Sequence, residues 1–168
     1  MRYAVVYSSR TGNTEKLAQA IQDALPEGEC EYFGDPAGGK ELGAPLVFVG
    51  FWTDKGTCDE KMKEWMKSLQ GKRVFLFGTA GFGGSETYFE AILSRVAANL
   101  DESNTLAGTF MCQGRMPEAV LYRYEAMKKE SPQDEKIAGM IENYHKALPH
   151  PNSEDRRRLM EAVRGIAI

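Results

Sequence analysis

Short apolar, β-branched or aromatic runs alternate along this chain with longer stretches whose apolar positions recur every three or four residues. The short runs are Tyr3–Tyr7, Cys30–Phe33, Leu46–Phe51, Arg73–Gly78 and Thr105–Cys112, and each predicts a strand. Leu46–Phe51 is apolar throughout, the pattern of a central parallel strand covered on both faces. Between the strands, Leu17, Ala18, Ile21 and Leu25 mark one face of a helix that Pro26 stops. Met62, Trp65, Met66 and Leu69 mark a second helix, with Asp59 as its cap and Gly71 as its terminator. Phe89, Ile92, Leu93, Val96 and Leu100 mark a third, opened by a capping box of Thr87 and Glu90. The Gly/Pro-rich connection from Gly34 to Pro45 belongs on the surface.

Strands alternating with amphipathic helices predict right-handed crossovers and an α/β fold: a doubly wound, five-stranded parallel sheet with helices on both faces. Ligands then gather at the carboxyl ends of the strands. After Gly114 the pattern becomes purely helical. Val120, Leu121, Tyr124 and Met127 predict one helix over Pro117–Lys129, and Ile137, Met140, Ile141 and Tyr144 another over Glu135–Leu148. Together they form a helical hairpin inserted at residues 116–150, ahead of the C-terminal helix. That last helix is capped by Ser153 and buries Leu159, Met160, Val163 and Ile166, with Arg156–Arg157–Arg158 as a solvated face.

Composition narrows the picture. A chain of 168 residues suits a single domain over residues 1–168 with a sizeable core. A net charge of -3 and a pI near 5.5 exclude a nucleic-acid binder, which needs a basic face. No apolar run approaches the roughly 20 residues of a membrane span, and Met1-Arg2-Tyr3 leads into a strand without a signal peptide. A cytoplasmic protein with no membrane partner is expected. Cys30, Cys58 and Cys112 form no C-x-x-C pair, so neither a disulfide framework nor a zinc site is indicated.

The first strand runs into Ser9-Arg10-Thr11-Gly12-Asn13-Thr14, a loop of hydroxyls and free backbone N–H groups at a helix N-terminus. Such a loop binds an anion through amides and the helix dipole, without Lys. It is neither a Walker A loop nor a G-x-G-x-x-G fingerprint. The plainer alternative is an ordinary turn with Thr14 or Asn13 as N-cap. The loops after the third, fourth and fifth strands share its rim. They are Trp52–Cys58, the Gly-rich Thr79–Ser85, and Cys112–Gly114. Trp65 and Cys112 read as core, whereas Trp52 lies past a strand end. A tyrosine phosphatase needs Cys-x5-Arg and a receiver domain needs acidic residues after the first strand; both are missing. Neither His145 nor His150 has a partner pattern for acid–base catalysis.

Ser9 to Thr14 resembles the phosphate loop of the flavodoxin family, and the likeness extends from the start of the chain to about Arg115. The resemblance implies strand order 2-1-3-4-5 and FMN as cofactor. It implies that Ser9, Arg10, Thr11, Gly12, Asn13 and Thr14 hold the phosphate. Trp52, Thr53, Asp54, Lys55 and Gly56 would flank the isoalloxazine, Trp52 by stacking. Thr79, Ala80, Gly81, Phe82 and Gly83 would approach its edge, with either Phe82 or Tyr88 as the second stacking ring. Gly56 either makes a turn or offers a carbonyl that swings toward flavin N5 in the semiquinone. Asp54, Asp59, Glu60 and Glu86 would lower the flavin's potential, opposed in part by Lys55.

Three functions stay open at this point. One is an electron carrier passing single electrons from a flavodoxin reductase to an acceptor reductase. Another is an NAD(P)H-dependent FMN reductase acting on a quinone or other small acceptor. The third is an interaction module without flavin. Phe51–Gly56, Cys112–Pro117 and the helical hairpin are similar to flavodoxin-like proteins that accompany a bilirubin reductase in gut anaerobes, which implies that enzyme as a partner.

Overall fold

β1 (Tyr3–Tyr7) and β3 (Leu46–Trp52) are apolar at nearly every position because both of their faces are covered. In the computed structural model, which describes residues 1–166, they lie at the centre of a parallel sheet with β2 (Cys30–Gly34), β4 (Arg73–Ala80) and β5 (Thr105–Gln113). The strand order is β2-β1-β3-β4-β5, as the resemblance to flavodoxins implies. Alternation along each strand sends neighbouring side chains to opposite faces.

On one face Tyr3, Val5, Phe48, Phe75 and Phe77 pack against Leu17 and Ile21 of α1 (Asn13–Ala24) and Leu159 and Val163 of α6 (Ser153–Ile166). On the other, Val6, Val49, Phe51, Val74 and Leu76 pack against α2 (Glu60–Ser68) and α3 (Glu86–Ala97). Between β5 and α6 stand α4 (Glu118–Glu130) and α5 (Glu135–Ala147), packed on each other. Tyr124 of α4 and Ile137, Tyr144 and Ala147 of α5 are buried there.

The crossover from β2 to β3 carries no helix and is closed by side chains instead. Trp65 donates its indole N–H to the Gly39 carbonyl at 2.7 Å, and Tyr32 its hydroxyl to the Asp35 carbonyl at 2.6 Å. Lys72 donates to the carbonyls of Leu42 and Ala44. The Glu31 carboxylate accepts the N–H groups of Ala44 and Gly43. The Ala44 amide is the largest influence holding its carboxyl below the ordinary range.

β3 and β4 interlock. Gly50 lies opposite Phe77, and Phe51 opposite Gly78. A Cβ on Gly50 would stand 2.3 Å from the Phe77 ring, and one on Gly78 2.4 Å from the Phe51 ring. Each ring therefore lies over its neighbour's missing side chain, one on each face of the sheet.

Two helix starts differ from expectation. α3 is capped by Ser85, whose hydroxyl accepts the Tyr88 N–H at 3.2 Å, while Thr87 is already inside the helix. The capping-box spelling at Thr87 and Glu90 lies two positions past the cap that forms. α6 is capped by Asn152 rather than Ser153: Asn152 Oδ1 accepts the Asp155 N–H and Asp155 Oδ2 accepts the Asn152 N–H, both at 2.9 Å. That is a reciprocal capping box built with Asn and Asp. Arg158 of the expected solvated face pairs with buried Asp155 at 2.8 Å and lies over the Phe110 ring.

Candidate functional site at the carboxyl rim of the sheet

β1 ends with the Ser8 N–H donating to the Gly50 carbonyl at 3.0 Å, after which the chain turns away from the sheet. The Ser9 hydroxyl accepts the N–H groups of Gly12 (3.1 Å) and Glu15 (3.4 Å), closing the turn from inside. Gly12 takes φ +93°, a left-handed conformation that favours glycine, and serves as N-cap of α1 without a side-chain cap. Asn13 and Thr14 are therefore the first helical residues, and neither is the cap.

Among the described residues the amides of Arg10, Thr11, Asn13 and Thr14 have no partner in the protein. The buried Ser8 hydroxyl has none either. Four unpartnered amides on either side of Gly12, at the start of a 12-residue helix, make an anion site that needs no cation. Thr14 is fully buried, with its hydroxyl 3.3 Å from that of Thr79 at the end of β4. Asn13 reaches across the rim to donate to the Arg115 carbonyl at 2.8 Å.

Trp52 is the last residue of β3, paired with Thr79, and not past the strand end as the sequence pattern suggests; it is half-buried, and its indole N–H donates to Asp59 at 3.1 Å. The other oxygen of Asp59 caps α2 through the Met62 N–H, as the sequence predicts. The Arg10 guanidinium lies 5.5 Å from the centre of the Trp52 ring, joining the first loop to the second. Thr53 donates its N–H and its hydroxyl to the Thr79 carbonyl at 3.0 and 2.8 Å. Asp54 and Thr57 exchange backbone bonds around Lys55 (φ +53°) and Gly56 (φ +84°), a tight turn with both central residues left-handed. The Gly56 carbonyl accepts from Arg95 of α3 at 3.1 Å. Of the two sequence readings of Gly56, the turn is the one displayed here. Arg95 escaped the sequence reading because it stands 39 positions away on a helix face with no local signal.

Thr79 and Ala80 are the last two residues of β4, not the start of the Gly-rich loop as the sequence pattern suggests, and both are buried. The Gly81 carbonyl accepts from Asn143 of α5 at 2.8 Å. Gly83, at φ +70°, lies under the Tyr88 ring, where a Cβ would stand 2.5 Å from it. Phe82 is 42 % exposed and projects from the rim, while Tyr88 is half-buried in the first turn of α3. The rim thus joins three of the four predicted loops through Thr14–Thr79, Thr53–Thr79 and Arg10–Trp52, and Asn13–Arg115 ties in the segment after β5. A cleft of about 1330 Å³ opens beside the first loop, from Ser8 and Ser9 down α2 to Leu69 and Lys72. It occupies the place beside the helix-free crossover. Cys112 is buried, and burial pushes its thiol well above the ordinary range, with Asp155 adding to the effect.

A family model described as Flavodoxin domain matches residues 4–164 of the chain. The chain belongs to the flavodoxin family. It is 45 % identical over 172 aligned positions to the flavodoxin-like domain-containing protein BilS of Clostridium symbiosum, covering 92 % of this chain and 90 % of that protein. It is 32 % identical to the BilS protein of Clostridioides difficile with the same coverage. Among solved structures, a Streptococcus pneumoniae flavodoxin superposes with a TM-score of 0.60 at 16 % identity, covering 99 % of this chain and 98 % of that one. That likeness is one of fold.

The cofactor of this flavodoxin is FMN, and its function is FMN-dependent electron transfer. The rim fits such a group: unpartnered amides and the orphaned Ser8 hydroxyl suit a phosphate, and an indole beside them suits a flat ring. No helix among the described residues is long and apolar enough to cross a membrane.

Proposed function

We propose that this flavodoxin is a one-electron carrier, taking electrons from a reductase and passing them to a partner oxidoreductase docked over the rim. The observation that carries the reading is the row of unpartnered amides at the start of α1, placed within one rim of Trp52 and Phe82. The amides of Arg10, Thr11, Asn13 and Thr14 hold the phosphate, with Gly12 setting their direction and Ser9 closing the turn. Trp52 stacks on the isoalloxazine, and Thr53, Asp54, Lys55 and Gly56 border it. Thr79 and Ala80 support the loop in which Gly81, Phe82 and Gly83 approach the ring edge, with exposed Phe82 as the second ring. Bound FMN supplies one- and two-electron redox chemistry, while the protein sets its orientation and exposure.

The acceptor in this proposal is a reductase of the bilirubin-reducing type. Its support is the likeness of Phe51–Gly56, Cys112–Pro117 and the α4–α5 hairpin to carriers of that kind.

Anaerobic titration of the purified protein tests the proposal. Yellow protein that bleaches only when a flavodoxin reductase accompanies NAD(P)H is the expected result. Direct bleaching by NADH or NADPH at catalytic rates would make it an NAD(P)H-dependent FMN reductase instead, and colourless protein that takes up no FMN would sink both readings.

Thr14→Ala keeps the amide and removes the hydroxyl, and is expected to weaken FMN binding about tenfold, the weight of one hydrogen bond from that hydroxyl to the phosphate. The Thr14–Thr79 hydroxyl pair is the competing account, and it forecasts lower stability with unchanged FMN affinity. Flavin fluorescence quenching against apoprotein concentration separates the two.

A further inference from the structure

The α4–α5 hairpin reaches back onto the loop after β4 at one residue. Asn143 stands on α5, and both ends of its carboxamide are used. Nδ2 donates to the Gly81 carbonyl at 2.8 Å, and Oδ1 accepts from Nε2 of Gln113 at 3.2 Å. The chemistry fixes the amide's orientation: the Gly81 carbonyl can only accept, so the NH₂ group must face it. Gly81 is the first residue after β4 and Gln113 the last of β5, so one side chain spans the ends of two adjacent strands.

Gly81 is also held by Met116. A Cβ at position 81 would stand 2.6 Å from Met116 Cγ and 2.8 Å from its sulfur, so only glycine lets that side chain lie against the backbone. The Gly114 N–H donates to the Ala80 carbonyl at 3.0 Å from the same segment. The peptide that leaves β4 is thus gripped by Met116 and Asn143, both contributed by chain that follows β5. Beyond the grip come Phe82, Gly83 and Gly84, two glycines in three residues, with Gly83 left-handed. Such a segment has little conformational preference of its own. Its shape must come from what holds its ends, Asn143 on one side and the Ser85 cap of α3 on the other.

We propose that Asn143 is a positioning residue for the flavin loop: the helical hairpin presents it so that the Gly81 carbonyl is held and the N–H groups of Phe82 to Gly84 are presented to FMN already ordered. The inference rests on the FMN site described under Proposed function and assigns the hairpin a role in the site itself. Order that exists before binding lowers the entropy lost on binding, so the clamp raises FMN affinity without touching FMN. Asn143→Asp is the sharper variant, because it sets a carboxylate oxygen against the Gly81 carbonyl and repels the peptide it now holds. Asn143→Ala releases the peptide without repulsion.

Hydrogen exchange on the flavin-free protein, together with FMN dissociation constants for wild type and both variants, tests the clamp. Amide exchange at Gly114, whose N–H is bonded to the Ala80 carbonyl beside the held peptide, is expected to accelerate by at least about tenfold in each variant, with β1 and α1 unchanged. The FMN dissociation constant should rise about three- to tenfold, and more for Asp than for Ala. Exchange and affinity both close to wild type would overturn the clamp and leave the FMN site standing. Faster exchange throughout the sheet would also overturn it, by making Asn143 a general structural residue. Wild-type protein that takes up no FMN would instead overturn the reading on which the inference rests, whatever the exchange pattern.

Discussion

Phe77→Ala is expected to lower the free energy of unfolding by about 3–5 kcal/mol, a large share of the roughly 5–15 kcal/mol that holds a domain together. Phe77 is fully buried, and its ring rests on Gly50 of the neighbouring strand, where a Cβ would come within 2.3 Å. Removing the ring leaves a cavity floored by a residue with no side chain to fall into it, so the site cannot collapse. The converse change overpacks: Gly50→Ala is expected to cost about 1–3 kcal/mol, because the Phe77 ring and the Tyr7 Cβ leave no room.

The two substitutions should couple. In the Phe77→Ala background the added methyl of Gly50→Ala enters the cavity, and its cost should fall to what the Tyr7 Cβ, 2.9 Å away, still imposes. Urea unfolding of the four proteins measures this cycle. Additive costs would show that ring and glycine are not interlocked. The lock matters to the site because the same register carries on to Trp52 opposite Thr79, the residues from which the second and third rim loops depart. Phe51 over Gly78 repeats the device on the other face of the sheet, so neither strand can slide without expelling a buried ring.

What the sequence showed of this molecule and what it concealed divide along the range of the interactions. Strands such as Leu46–Phe51 were legible because burial on both faces demands apolar residues at every position. Helices were legible from the recurrence of Leu17, Ala18 and Ile21, or of Met62, Trp65 and Met66. The loop from Ser9 to Thr14 was legible because its chemistry is local: a glycine that accepts φ +93°, short hydroxyl residues and a helix start. Cap residues were less secure, since Ser85 and Thr87, or Asn152 and Ser153, are equally good spellings one or two positions apart.

Hidden from the sequence were the contacts that unite the rim. Asn13 reaches Arg115 over 102 positions, Asn143 reaches Gly81 over 62 and Arg95 reaches Gly56 over 39. Asn143 and Arg95 stand on unremarked helix positions, Asn13 reads in sequence only as loop or cap, and the packing of the helices selects the partner of each. Arg10 over Trp52 belongs with them, as does the pairing of His150 with Asp155, for which the histidine's neighbours in sequence gave no sign.

Asp155→Ala is expected to lower stability by about 2–4 kcal/mol at neutral pH, through loss of a helix cap together with charge-assisted hydrogen bonds. Asp155 is 2 % exposed. One carboxylate oxygen accepts from Asn152 and lies 2.5 Å from Nδ1 of His150, and the other accepts from Arg158 at 2.8 Å. Burial is the largest influence on this carboxyl and raises its pKa, yet the Asn152 amide, His150 and Arg158 together outweigh burial and leave it below the ordinary value. A carboxyl whose folded pKa is depressed contributes stability that is complete above the unfolded value, about 3.9 for Asp, and is lost as pH falls through the folded one. The advantage of wild type over Asp155→Asn, which keeps the shape and loses the charge, should therefore be full at neutral pH and shrink on acidification below about 4. Denaturant midpoints across that range measure it, and an advantage that grew toward acid would reverse the sign of the assignment. The consequence extends to the rim, because the His150 carbonyl accepts the Arg115 N–H at 2.9 Å and the Arg115 carbonyl accepts from Asn13. Loosening the start of α6 should therefore weaken FMN binding in Asp155→Ala even at temperatures where the protein stays folded.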